Sequence, residues 1–75
     1  MEIYIGTATG KIGPLFSLTA RTIESLNHLV GDRLSELTMD EGVELPDATI
    51  LKIYKAKKFL GFVSKKVLID ERVIN

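Results

Sequence analysis

One stretch of this chain reads at a helical period, and it constrains everything around it. Ile23, Leu26, Val30 and Leu34 recur at spacings of three, four and four, and Leu37 follows three later. Side chains at those spacings line one face of an α-helix. Thr22 stands before them as an N-cap, and Glu24 lies in the first turn, where a carboxylate favours the positive end of the helix. Gly31 interrupts the stripe. Either the helix ends there with Gly31 at C′, or it continues at a cost of about 1 kcal/mol relative to alanine. The expected end lies near Leu34–Leu37.

The flanking segments read as strands. Residues 2–5, Glu-Ile-Tyr-Ile, alternate polar and apolar, which puts Ile3 and Ile5 on one face. Thr9-Gly10-Lys11 looks like a turn in which Gly10 takes positive φ. A second strand is expected from about Lys11 to Leu18, with Pro14 confined to an edge or a bulge because it has no N–H. After the helix, residues 38–48 carry Asp40, Glu41, Gly42, Glu44, Pro46 and Asp47 and read as an acidic loop. Residues 49–56 are β-branched and aromatic, which favours a strand. Residues 59–70 read as another, with Phe59, Gly61, Val63, Lys65, Val67 and Ile69 at one parity. Leu60, Phe62 and Leu68 weaken that alternation. A hairpin over Ala56-Lys57-Lys58 would join the two strands. The alternative makes 47–60 a helix, capped by Asp47 and closed by Gly61.

Strand, turn, strand, helix is the opening order of a β-grasp domain, and the residues resemble the ubiquitin-like family in ungapped register. Met1, Ile3, Thr7, Thr9-Gly10-Lys11, Leu15 and Thr22-Ile23-Glu24 match, and Tyr4, Ile5, Leu26 and Val30 are conservative replacements. The match covers about thirty residues, and Lys52–Leu60 looks only loosely like the family's third strand, displaced along the chain. The resemblance implies an α+β, β-grasp-like fold: a β-hairpin, one helix, then two or three further strands, forming a single domain over residues 1–75. It implies little of the family's activity. The chain ends Val73-Ile74-Asn75, without the Gly-Gly tail used for conjugation, so it is expected not to be conjugatable. Lys11 matches a chain-forming lysine, but Gly6, Asn27 and Leu29 replace three others, and Ala8 replaces a leucine of the recognition patch.

Composition narrows the function classes. One domain of 8.3 kDa, 45% hydrophobic, supports one small core. There are no cysteines, which removes disulfides, cysteine-ligated metals and thiol nucleophiles. The longest near-apolar stretch, Phe59–Val63, is too short to span a membrane, and Met1-Glu2-Ile3 does not open a secretory signal. A cytoplasmic protein is expected, with no membrane partner.

No chemistry-bearing constellation stands out. Gly6-Thr-Ala-Thr-Gly10-Lys11 has phosphate-loop flavour but is one residue short, and Ile12 stands where a hydroxyl must meet magnesium. A hairpin turn is the better reading. His28 lies four residues after Glu24, close enough to touch on one helix face, but a single histidine makes a poor metal site and lacks a partner as a general base. Asp40, Glu41, Glu44 and Asp47 lack calcium-loop spacing. No catalytic residue, metal or cofactor is expected, and the chain reads as non-enzymatic.

Charge layout is the most informative feature. Ten bases and ten acids cancel overall. Residues 32–47 nevertheless hold Asp32, Glu36, Asp40, Glu41, Glu44 and Asp47 against Arg33, a net of −5. Residues 48–69 hold Lys52, Lys55, Lys57, Lys58, Lys65 and Lys66 and no acid, a net of +6. Such a patch attracts an acidic protein or a nucleic acid within a Debye length of about 8 Å. Lysines on a solvent-facing strand also block edge-to-edge aggregation, so a solvated face is the competing reading. The expected function is a non-catalytic protein-interaction module, an adaptor, inhibitor or regulatory subunit, that binds through these six lysines. The alternative is a small nucleic-acid-binding regulator, with Tyr54, Phe59 and Phe62 as stacking platforms. The lack of arginine in the hairpin weakens specific readout.

Overall fold

The computed structural model describes residues 1–75 except Ile12, Val43, residues 45–47 and Asn75. Strands β1 (Glu2–Gly10) and β2 (Gly13–Ala20) form a hairpin, and α1 (Ile23–Ser35) follows. A π-helical turn, Glu36–Asp40, extends α1, and the chain then returns as β3 (Ile50–Phe59), β4 (Phe62–Val63) and β5 (Val67–Val73). The chain is thus α+β, with a hairpin, one helix and three further strands, compatible with a β-grasp-like arrangement. The sheet runs β2-β1-β3, and β3 carries both β4 and β5 on its far side. Every ladder is antiparallel.

The helix starts where its cap predicts. Thr22 Oγ1 accepts a hydrogen bond from the Ser25 N–H at 3.0 Å, which satisfies one orphan donor of the first turn and stabilises by about 1 kcal/mol. Gly31 lies inside α1, so the helix continues through it. Beyond Ser35 the Glu41 N–H bonds the Glu36 carbonyl at 2.8 Å, the wider loop of a π-turn. Thr38 Oγ1 donates to the Leu34 carbonyl at 2.8 Å within this stretch.

One sheet face packs under α1. Cross-strand partners share a face, so Gly6 and Ala8 lie with Leu18 and Phe16 of β2 and with Ile53 and Leu51 of β3. Leu26, Val30, Leu51, Ile53 and Ala8 form the buried cluster. Gly6 has a packing role: a Cβ built there would lie 3.3 Å from Leu26 Cδ1, so the glycine lets the helix approach the sheet. Leu37 is also buried, whereas Ile23 is 40% exposed and does not join the core as the stripe implies. It sits in the first turn, where the chain has just left edge strand β2.

Several boundaries differ from expectation. The positive φ of the first turn falls on Gly13 (129°), not Gly10, and β2 begins two residues later than expected. Pro14 lies on edge strand β2 beside a register shift between Ala8 and Thr9, as a residue without an N–H requires. Residues 50–59 are a strand, so the alternative helix over 47–60 is set aside; its cap, Asp47, lies outside the described residues. The second hairpin does not turn at Ala56-Lys57-Lys58. Lys57 pairs Glu2, Lys58 pairs Val63, and the turn is Leu60-Gly61. Both turn residues have positive φ, 48° and 84°, which a two-residue hairpin turn of matching twist needs. The expected strand over 59–70 is broken into β4 and β5 by residues 64–66. Its odd-parity side chains are exposed rather than inward.

Candidate functional site

The β3–β4 hairpin projects past the helix-covered core. β3 runs from its pairing of Ile50 with Thr9 to that of Lys57 with Glu2, and then continues to the Leu60-Gly61 turn. At its tip Phe59 is 73% exposed, Leu60 82% and Phe62 79%. Leucine at positive φ in open solvent has neither a packing nor a conformational reason to be there. Backbone strain of this kind clusters at functional sites in proteins generally.

The six sequence-predicted lysines divide along this strand. Lys57, Lys58, Lys65 and Lys66 are exposed around the hairpin base, while Lys52 and Lys55 are half-buried within the sheet. Lys55 Nζ meets Glu2 Oε1 at 3.3 Å, and Lys66 Nζ lies 4.5 Å from the centre of the Tyr54 ring, a cation–π arrangement. Exposure therefore sets four of the six apart, with the neighbours Lys57 and Lys58 on opposite faces of β3 and Lys66 lying on the Tyr54 ring. The other two serve the sheet as much as any surface. Ser64 fixes the base: its N–H donates to the Lys57 carbonyl and its Oγ accepts from the Lys57 N–H, both at 2.8 Å. Beside this clamp runs an open groove of roughly 460 Å³ lined by Lys55, Lys57, Lys65, Val67 and Ile69 among others. Sequence reasoning found the lysines and noted Phe59 and Phe62 among them. It missed Leu60, whose only signal was the glycine that follows it.

The acidic segment lies at the other end of the sheet. α1 starts beside the Tyr4–Ala20 pairing and ends near the Thr9–Ile50 end. There Arg33 Nη1 bridges Glu36 Oε2 at 3.0 Å and Glu41 Oε2 at 3.1 Å. The Glu36 hydrogen bond raises the guanidinium pKa above its ordinary value, burial opposes it, and Glu41 adds to it. Asp32, Asp40 and Glu44 are exposed, and Asp47 lies outside the described residues. Lys11, in the β1–β2 turn, shares this end.

Gly6–Lys11 is mostly strand β1, with no phosphate cradle of the kind its glycines suggested. His28 is exposed on α1. Among the described residues no group of three or more histidines and carboxylates is placed to hold a metal ion, and no helix is long and apolar enough to cross a membrane. No family model matches the chain, and no curated protein or solved structure matches it either.

Proposed function

We propose that this chain is a non-catalytic protein-interaction module of the cytoplasm, a small adaptor, inhibitor or regulatory subunit, that engages an acidic partner through the β3–β4 hairpin. The observation that carries this reading is the exposed Phe59-Leu60-Gly61-Phe62 tip with Lys57, Lys58, Lys65 and Lys66 around its base. Apolar anchors rimmed by cations combine desolvation at the centre with steering from the periphery. The resemblance of the first thirty residues to the ubiquitin-like family supports a β-grasp-like fold for this module.

Lys58 and Lys65 are the positions to reverse. Lys57 lies opposite Glu2 in the ladder, so a glutamate there would set like charges face to face and weaken the sheet. A partner captured from the source cells is expected to associate more slowly with Lys58→Glu/Lys65→Glu, with thermal stability within about 0.5 kcal/mol of the parent. Added salt should slow the parent and leave the variant nearly unchanged. An unchanged association rate for the folded variant would move the binding surface elsewhere.

The nucleic-acid reading draws on the same exposed rings, which are free to stack on bases. Anisotropy of a labelled single strand over a salt series separates the two. Tight, steeply salt-dependent binding favours nucleic acid, and no binding at low salt removes it.

A further inference from the structure

The chain carries the complement of its own lysine end, and we infer that the partner at the hairpin is a second copy of this chain, packed antiparallel to the first. This rests on the reading of the hairpin as a protein-binding surface and names its occupant.

Three observations lead there. The first is surface. The accessible area is 5196 Å², against roughly 4,600 Å² for a compact chain of this mass. The radius of gyration is 12.9 Å, against about 11.4 Å for a compact domain of this length. The excess, roughly 600 Å², approaches the ~800 Å² that each partner buries in a standard interface.

The second is where the excess lies. Of the large apolar side chains that are exposed, eight fall between Phe59 and Val73, including Val67, Leu68, Ile69 and Val73 of β5. Hairpin and β5 occupy the same side of β3, so these side chains line one flank of the sheet, alternating between its two faces, with Val67 opposite Lys55 and Leu68 opposite Tyr54.

The third is charge. A two-fold axis across that flank reverses the long direction of the second copy. Its acidic end, with Asp40 and Glu44, then lies beside the first copy's Lys58 and Lys65, and the reverse pairing follows by symmetry. The molecule is 39 Å long by 21 by 18 Å, so a parallel arrangement would instead place like ends together. Contact is through side chains and not by strand addition. The Asp70 carboxylate accepts the Glu71 N–H at 2.9 Å and so blocks ladder pairing in the middle of β5.

Sedimentation velocity over a concentration series, with circular dichroism of each variant, tests this. The parent should dimerise, and Phe59→Ser/Phe62→Ser should be a folded monomer. Should that variant fail to fold, charge exchange gives an independent answer. Lys58→Glu/Lys65→Glu and Asp40→Lys/Glu44→Lys should each dimerise about tenfold more weakly or worse, because the contacts at the reversed positions become repulsive. Their equimolar mixture should recover the parent affinity, since each altered end then meets its new complement. A parent monomeric at about 1 mM overturns the inference, as does a mixture no tighter than its components. Neither result touches the slowed association of Lys58→Glu/Lys65→Glu with a captured partner, so the hairpin reading stands or falls separately.

Discussion

The two halves of β3 put similar residues to opposite uses. Between Ile50 and Lys55 the strand has neighbours on both sides and the helix over one face, and Leu51 and Ile53 are at most 2% exposed. Beyond Lys57 the β1 ladder ends, β4 is the ladder partner, and Phe59 stands 73% exposed. A phenylalanine outside the core contributes little to folding, yet it carries a large capacity to bind. Burial and apolar exposure are therefore spatially separated along one strand, and each can be perturbed alone.

The largest effect should come from the covered half. Leu26 is fully buried against Gly6, and Leu26→Ala should cost about 2–5 kcal/mol in urea unfolding, enough to threaten a domain of this size. Gly6→Val should destabilise too, by about 1–3 kcal/mol, because its methyls meet the same leucine. The double variant should fall short of the sum, since the smaller side chain makes room for the larger. Simple additivity would mean the two positions do not share one packing site.

The projecting half should respond with the opposite sign. Leu60→Asn supplies a residue that tolerates left-handed φ before Gly61 and should stabilise by about 0.5–1 kcal/mol. It should weaken partner binding at the same time. A variant that is more stable and binds no worse would show that the leucine is not part of the recognition surface.

The smallest effect concerns Asp70. Arg72 Nε donates to its carboxylate at 2.7 Å, and this, followed by the Glu71 N–H, lowers its pKa below the ordinary 3.8. A depressed folded-state pKa contributes stability that is present above the unfolded value and lost as pH falls through the folded one. The stability of Asp70→Asn should accordingly change less between neutral pH and the acid limit below 3.8 than that of the parent. Equal acid slopes would show that this exposed pair does not matter to folding.

How much of this was legible depended on whether one physical pattern acted alone. The Thr22 cap and the Leu26–Val30 stripe were readable because capping and periodicity agreed. Ile23 misled because periodicity says nothing about where the sheet beneath a helix stops. β5 defeated alternation altogether: both of its faces are largely exposed, so neither parity was selected for burial. Lys57-Lys58 suggested a turn through polarity, while the true turn put a leucine where asparagine is the usual signal. The lysine cluster was visible in the chain itself. The pairing of Lys55 with Glu2 and the seating of Lys66 on Tyr54 were not, since both depend on partners arriving from a distance in sequence or across the ladder.

The continuity of β3 makes its length a coded quantity. A strand advances about 3.3 Å and changes face with each residue. Because Ile50–Lys57 is locked in register against β1, the hairpin inherits its orientation from the core without a hinge. Deleting one residue between Ala56 and Phe59 would retract the tip by about 3.3 Å and turn the Phe59 side chain to the opposite face. The composition of the tip would be unchanged and its address lost. Under the proposed binding role, a partner docked on it would read the count of residues behind it as well as their identity.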